Sequence, residues 1–197
     1  MTETTIDARA IAQLFTAART FNNWSDRPVE DATLRQIYAL AAMGPTTANS
    51  NPGRFVFIRT DAGRERLRPH LNPGNVDKTM SAPCCVIVAR DTRFFEHMPQ
   101  LFPDRDFKSV FEGNPAAAQD AARRSATLQG AYLIMAARAL GVDAGPMSGF
   151  NAETLDREFF PDGRWQSDFL CNLGYGTPDL LYPRNPRLAF EQACVLI

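Results

Sequence analysis

Apolar residues in the first quarter of the chain recur at the spacing of one helical face. Asp7 precedes Ile11 and Phe15, which predicts a helix with an acidic N-cap. A second helix is predicted over residues 30–43, because its apolar positions again fall on one side. The Gly-Pro pair that follows is a typical helix stop.

The next segments alternate between predicted strands and short helices. Residues 55–59 predict a strand, and residues 61–71 predict a short charged helix. After a polar turn at residues 72–75 and one helical turn, residues 84–89 form an uninterrupted apolar run, which is typical of a buried strand. Residues 92–101 favour another helix.

One long helix is predicted over residues 116–140, and its centre, residues 125–137, carries no charge. A helix that is apolar all round is expected to be buried all round. In a chain of 197 residues this is easiest when a second subunit covers part of the helix, so we predict a homodimer. In the preceding segment, residues 102–115, the apolar residues follow no regular helical or strand spacing. We expect a mobile excursion or lid there.

The last third predicts a short strand at residues 142–144, a helix that Asn151 caps, and a final core strand at residues 169–175. The tail beyond residue 176 contains three prolines, so we expect it to be extended and not helical. The order of elements predicts a single α/β or α+β domain over residues 1–197 with one central sheet.

Composition narrows the class of protein. Lys and Arg number 21 against 22 Asp and Glu, which argues against a nucleic-acid partner. No apolar stretch is long enough to cross a membrane, and the polar N-terminal segment has no signal-peptide pattern, so we expect a soluble, cytoplasmic protein. The two histidines and four cysteines lack ligand spacing, so we expect no metal site and interpret the cysteines as core thiols.

Several catalytic motifs are missing from the sequence. No strand is followed by G-x-G-x-x-G, and no G-x-x-x-x-G-K-[ST] or G-x-S-x-G segment occurs. The sequence therefore predicts neither a Rossmann nucleotide site, nor a phosphate-binding P-loop, nor a serine hydrolase.

Arginine suits bidentate recognition of a phosphate group. Arg19 and Thr20 follow the first predicted helix, and Arg184 and Arg187 lie in the proline-rich tail. The competing interpretation is that these arginines merely occupy the surface at the ends of elements. Three polar segments, residues 45–49, 73–75 and 145–149, are also open to two interpretations: ordinary turns, which each favours when taken alone, or loops that a flat ligand can approach closely. Glycines in the last two segments would let the ligand approach the backbone.

Taken together, these segments resemble the FMN-dependent nitroreductase family over nearly the whole chain. The resemblance rests on Arg19-Thr20-Phe21-Asn22, on Pro45-Thr46-Thr47-Ala48-Asn49-Ser50-Asn51-Pro52, on Asn75, on Ala139-Leu140-Gly141 followed by Pro146 and Gly149, and on Arg187. Within the family the chain is similar to the malonic semialdehyde reductases of bacterial pyrimidine utilisation, notably at residues 38–40, 67–69, 129–134, 145–150 and 174–176.

The resemblance implies an α+β nitroreductase-like fold: a mostly antiparallel central sheet flanked by helices, a long central helix at a dimer interface and an extended tail. It also implies a homodimer that binds FMN at the subunit interface and uses NADH or NADPH. Arg19 and Arg187 would hold the FMN phosphate with help from Thr20 and Asn22. Asn75 would form a hydrogen bond with the pyrimidine edge of the flavin. The backbone around Ser148 and Gly149 would lie near flavin N5, and the partner subunit would contribute Thr46, Thr47 and Asn49.

The chain departs from the family at the phosphate contacts. Many members have Lys or Arg where this chain has Asn22, and another cation near Asn185. Arg184 is the candidate replacement, so it is added to the predicted phosphate site.

The resemblance implies ping-pong hydride transfer from NAD(P)H through FMN to a small aldehyde acid, converting malonic semialdehyde to 3-hydroxypropionate. Arg54 or an arginine of residues 102–115 is the candidate cation for the acid group. Two alternatives stay open: a broad-specificity NAD(P)H nitroreductase or quinone reductase, and a flavin-binding dimer without turnover.

Overall fold

The computed structural model describes residues 5–179 and 181–197. Its described strands are β1 (Gly53–Ile58), β2 (Cys84–Asp91), β3 (Asp143–Met147) and β4 (Trp165–Gly174). They form one open sheet in the spatial order β1-β2-β4-β3, and each neighbouring pair is antiparallel. The α+β fold with an antiparallel central sheet is therefore confirmed.

Nine α-helical segments accompany the sheet in the described chain. They are α1 (Ala8–Ile11), α2 (Asp31–Ala41), α3 (Asp61–Leu67), α4 (Pro73–Met80), α5 (Met98–Leu101), α6 (Phe107–Glu112), α7 (Pro115–Ala139), α8 (Ala152–Phe159) and α9 (Phe190–Ala193). Helix α1 continues into a π-helical turn, Ala12–Thr16, and 3₁₀ turns occupy Thr47–Asn49, Arg68–His70 and Phe94–His97. None of the described helices is long and apolar enough to cross a membrane.

Strands β2 and β4 lie at the centre of the core. Side chains alternate across a strand, so β2 buries Val86 and Val88 against α2 and α7, and Ile87 against the layer that contains α8. A third cluster joins Phe94 and Phe111 to the N-terminal half of α7. The sheet is thus covered on both faces, which explains the uninterrupted apolar run of β2.

Helix α7 begins and ends within one residue of its predicted bounds. Gly130 lets it lie close to β4, because a Cβ at that position would come within 2.5 Å of the Phe169 ring. In the single chain the charge-free centre is buried on one side only, and its cover by a second subunit stays a prediction. Ala126 and Leu133 are fully buried, whereas Leu128 on the opposite side is 42% exposed.

The predicted polar segments contain more regular structure than expected. Asn75 lies in the first turn of α4 and not in a loop before it, and β3 extends through Met147 into the segment interpreted as a polar loop. Residues 102–115 include α6, whose Phe111 is buried; the mobility of this segment stays a prediction. The tail is mostly extended, but α9 follows its last proline, because Pro constrains only itself and its near neighbours.

The cysteines are core thiols with one exception. Cys84, Cys85 and Cys171 are buried, and burial raises the pKa of Cys84 and of Cys171 to about 12. Cys194 is exposed in the tail, so the expectation that all four lie in the core is wrong for this residue.

Candidate functional site

The predicted phosphate-binding residues line one open cavity of about 530 Å³ between the N-terminal helical segment and the C-terminal tail. Five of them meet there although the chain separates them by more than 160 positions: Arg19, Thr20, Asn22, Arg184 and Arg187. Arg138, near the end of α7, also lines the cavity and was missed from the sequence. Its signal is that it is the first charged residue after the charge-free centre of α7.

Main-chain carbonyl oxygens hold the arginines in place. Arg184 Nη2 donates to the carbonyls of Thr16 and Ala18, at 3.0 and 2.7 Å, where the π-helical turn ends. Arg19 Nη2 donates to the Tyr182 carbonyl, which ties the start of the chain to the tail. Arg187 Nη1 donates to the Asn185 carbonyl at 2.8 Å. The tail and the N-terminal segment therefore fix each other's position.

No direct ion pair is found for the arginines of this cavity in the described chain. No acidic side chain is among the described residues that line it, and none of its four arginines has a carboxylate within 4.0 Å in the described parts of the chain. Each guanidinium carries five N–H donors, and only one of its nitrogens donates to a described carbonyl. The cavity is therefore suited to an anion that brings several acceptor oxygens, such as a phosphate group.

Asn75 and Gly149 are in direct contact. Asn75 Nδ2 donates to the Gly149 carbonyl at 2.7 Å, and the Asn72 amide donates to the same oxygen at 3.0 Å. A Cβ on Gly149 would lie 2.4 Å from Asn75 Nδ2, so this approach requires glycine. Ser148, the residue before, is exposed. The predicted contacts to the two edges of a flat ligand thus lie side by side.

Lys78 lies one turn after Asn75 on the same face of α4, because residues three apart are neighbours on a helix. It is half-buried, and burial lowers the pKa of its amino group. The Lys78 carbonyl accepts a hydrogen bond of 2.9 Å from Trp24 Nε1. The segment from Arg19 to Trp24 therefore joins the arginine cavity to the surroundings of Asn75.

The segment Thr46–Asn51 adopts an unusual backbone. Ala48, Asn49 and Asn51 have φ values of 49°, 54° and 42°, the left-handed region that residues with a side chain seldom adopt. Such conformations persist only where the surroundings impose them, and they concentrate at ligand sites. Here Asn49 Nδ2 donates to the Leu101 carbonyl at 2.9 Å.

Side chains of helix α7 form hydrogen bonds with the segment Thr46–Asn51. Gln129 is buried; its Oε1 accepts from the Gly53 amide at 2.7 Å, and its Nε2 donates to Asn51 Oδ1 at 3.2 Å. The Thr47 amide donates to Ser125 Oγ at 3.2 Å. Thr47 and Asn51 are thus held by α7, whereas Asn49 is held by the end of α5.

Arg54 is engaged in an ion pair. Its Nη2 lies 2.7 Å from Oδ2 of Asp91, which also accepts two hydrogen bonds of 3.1 Å from Arg164. Burial acts to raise the pKa of Asp91, but the Arg164 hydrogen bonds, the Arg93 amide and the charge of Arg54 together keep it below its usual range. Arg54 is therefore not a free cation for a substrate.

Comparison with known proteins identifies the family of this chain. The profile of the nitroreductase family matches residues 16–175. The chain belongs to the nitroreductase family. A Rhodopseudomonas palustris (strain TIE-1) protein named NADH dehydrogenase/NAD(P)H nitroreductase is 60% identical to this nitroreductase-family chain over 182 residues, covering 92% of this chain and 93% of that protein.

Two further similarities concern sequence and fold. A Ralstonia nicotianae (strain ATCC BAA-1114 / GMI1000) protein of the same name is 50% identical over 190 residues, 96% of this chain and 97% of its own length. The crystal structure of a nitroreductase in complex with FMN from Exiguobacterium sibiricum 255-15 superposes with a TM-score of 0.83 at 21% identity, covering 100% of both chains. The predicted family and fold are confirmed.

Proposed function

We propose that this chain is an FMN-dependent NAD(P)H oxidoreductase that reduces a small aldehyde acid, malonic semialdehyde, to 3-hydroxypropionate. Its membership of the nitroreductase family and the names of its relatives support the general activity. FMN, when bound, supplies the hydride chemistry between NAD(P)H and the substrate. The remaining steps are the binding, orientation and charge stabilisation that the side chains of this protein provide.

The observation that carries the proposal is the arginine cavity, whose described lining residues include no acidic side chain. The FMN phosphate is a dianion with three acceptor oxygens, and Arg19, Arg184 and Arg187 present guanidinium donors around one open space. Thr20 and Asn22 add neutral donors at the same wall. The residues present therefore fit the phosphate end of FMN, and Arg184 supplies a charge that Asn22 lacks.

Asn75, Lys78 and the backbone at Gly149 fit the other end of the cofactor. Asn75 keeps one N–H and its carbonyl oxygen beyond the bond to Gly149, which matches the mixed donor and acceptor edge of a pyrimidine ring. Lys78 places a cation one turn away, and a cation there stabilises negative charge on that ring. The exposed Ser148 and the neighbouring Gly149 offer backbone N–H donors near flavin N5.

A homodimer completes this proposed site. Ile11 and Phe15 on the N-terminal helical segment and Leu128 on α7 are exposed apolar residues in the single chain. The tail adds Leu188 and Phe190, which are 70% and 53% exposed. Burial of these residues favours association of two copies. In that dimer the preorganised segment with Thr46, Thr47 and Asn49 faces the flavin bound to the other subunit.

The assignment of an aldehyde acid as substrate is based on the similarity to malonic semialdehyde reductases at residues 129–134, 145–150 and 174–176. These residues include parts of α7, β3 and β4. A carboxylate substrate requires a cation near the flavin. Arg54 is paired with Asp91. The remaining predicted cation for the substrate carboxylate is therefore an arginine of residues 102–115, where Arg105 is exposed.

A broad-specificity NAD(P)H nitroreductase or quinone reductase is the second candidate, favoured by the names of the two relatives. The two are separated by measuring turnover of malonic semialdehyde and of a nitroaromatic at equal concentration, with NADH and with NADPH. The proposal expects a much higher kcat/KM for the aldehyde acid. Equal or greater kcat/KM for the nitroaromatic contradicts the aldehyde-acid assignment and supports the second candidate.

A further inference from the structure

Arg138 has a hydrogen-bonding environment that the fold alone does not satisfy. Its Nη1 donates to the Leu14 carbonyl at 3.0 Å, which joins the end of α7 to the N-terminal helical segment. Its Nε is buried and has no acceptor among the described residues. Its Nη2 makes no hydrogen bond to a described residue and is not buried, so its two N–H groups are open to an anion in the cavity.

We propose that Arg138 is a fourth phosphate-binding arginine, which contacts the FMN phosphate together with Arg19, Arg184 and Arg187. This inference rests on the proposed function, because it takes the arginine cavity to be the phosphate site. Arg138 lines that cavity from α7, whereas the other three approach from the N-terminal segment and the tail. The cations absent at Asn22 and Asn185 are then both replaced, one by Arg184 and one by Arg138.

The charges around Arg138 agree with this role. Asp143 on β3 is close enough for Arg138 to lower the pKa of its carboxyl group, although burial has the larger effect and the net pKa is raised. Asp143 Oδ2 instead accepts from the Gly176 amide at 2.9 Å, and no carboxylate of the described chain lies within 4.0 Å of the Arg138 nitrogens. The guanidinium is therefore available to an external anion.

A purely structural role is the competing explanation. A cation in the last turn of a helix is favourable to the helix dipole, and the bond to Leu14 holds two elements together. A structural role affects the binding of any flavin to the same extent. A phosphate contact affects FMN and leaves riboflavin, which has the same ring system without the phosphate, unchanged.

The test compares FMN and riboflavin binding to the full-length chain freed of flavin, by quenching of flavin fluorescence. Arg138→Gln is expected to weaken FMN binding by roughly 10- to 100-fold, the loss typical of a hydrogen bond to a charged group. Riboflavin affinity is expected to stay within about twofold of wild type, since the phosphate contact is the one removed. Arg157→Gln, which removes a charge from the exposed face of α8, is the matched control and is expected to change neither affinity.

Equal losses for both flavins, or no loss for FMN, overturn the role of Arg138. If Arg138→Gln does not fold, Arg138→Lys decides: it keeps the charge but not the planar donor fork, so FMN binding is expected to weaken by roughly 3- to 10-fold with riboflavin unchanged. Wild-type FMN affinity in the Lys variant then overturns the proposal.

Arg187→Gln separates this inference from the proposed function. If Arg187→Gln weakens FMN binding and Arg138→Gln does not, only the role of Arg138 fails. If neither variant weakens FMN binding, the assignment of the whole cavity as the phosphate site fails.

Discussion

Asn75 and Gly149 are joined by a 2.7 Å hydrogen bond from the side-chain amide of one to the carbonyl oxygen of the other. The bond connects the first turn of α4 to the residues that follow β3, two segments that are 74 positions apart in the chain. It fixes the orientation of the Asn75 amide, and with it the donor and acceptor that the side chain presents to a ligand. The contact is as close as it is because residue 149 has no Cβ.

Gly149→Ala is expected to weaken FMN binding, because the new Cβ would lie 2.4 Å from Asn75 Nδ2 and displace the amide. Loss of one neutral hydrogen bond corresponds to roughly a 3- to 10-fold decrease in affinity. Gly74→Ala on α4 is the matched control, because its Cβ meets nothing within 4 Å. Fluorescence titration with FMN measures both variants, and equal affinities for the two would contradict the positioning role of the Asn75–Gly149 contact.

Gln129→Met tests the support of the strained segment Thr46–Asn51. The substitution keeps the side-chain length but removes the acceptor for the Gly53 amide, a contact of 2.7 Å in the buried interior. An unsatisfied buried N–H costs about 1–3 kcal/mol, and unfolding in urea is expected to show a loss of that size. Hydrogen exchange at the Gly53 amide is expected to accelerate.

Gln119→Met, on the exposed side of the same helix, is the control and is expected to change stability by less than about 0.5 kcal/mol. A Gln129→Met variant as stable as this control, with unchanged exchange at Gly53, would show that α7 does not support the segment.

The ion pairs of Asp91 predict a pH dependence of stability. The pKa of Asp91 lies below its ordinary value of 3.8, so its ionised form stabilises the folded state above that pH, and the contribution is lost as the pH falls through the folded-state pKa. Asp91→Asn is expected to lower the free energy of unfolding at pH 7 by about 3 kcal/mol, the low end for a broken buried pair, since Arg54 and Arg164 are 20% and 25% exposed.

The gap between wild type and Asp91→Asn is expected to narrow below about pH 4, because protonation removes the same charge from the wild-type protein. Urea unfolding at several pH values between 3 and 7 measures this gap. A gap that stays constant over that range would show that the charge of Asp91 does not stabilise the fold.

Leu128→Glu tests the proposed homodimer. Leu128 is 42% exposed on α7, and a carboxylate placed in an apolar interface loses its hydration without a partner. Analytical ultracentrifugation is expected to show wild-type dimers and a variant that dissociates to single chains. Val110→Glu, which changes an exposed apolar residue of α6, controls for the added charge. A Leu128→Glu variant that remains as dimeric as Val110→Glu would exclude this face of α7 from the interface.

Much of the fold follows from patterns that are local in the sequence. The apolar run of β2, the caps at Asp7 and Asn151 and the long charge-free centre of α7 each indicate an element without help from distant residues. Strand and helix ends were less predictable. Residues 145 and 146 are glycine and proline, which are rare inside strands, but pairing with β4 gives them a strand conformation that their own propensities do not favour.

Some residues of the candidate site were likewise predictable from the sequence, and others were not. Arg19, Asn75 and Arg187 belong to segments whose residues resemble the family, so they were predictable from the sequence. Arg138 and Lys78 were not, because each is an ordinary helical cation until the fold places it beside the other site residues. The pairing of Arg54 with Asp91 depends on the register of β1 and β2, which the sequence does not determine.

The most direct test of the account is the visible absorption spectrum of the protein with FMN, recorded anaerobically before and after addition of NADH or NADPH. We expect bound flavin bands that bleach with at least one of the two nucleotides and return when malonic semialdehyde is added. A protein that stays colourless after incubation with FMN, or whose flavin bands persist with both nucleotides, would contradict the assignment as an FMN-dependent NAD(P)H oxidoreductase.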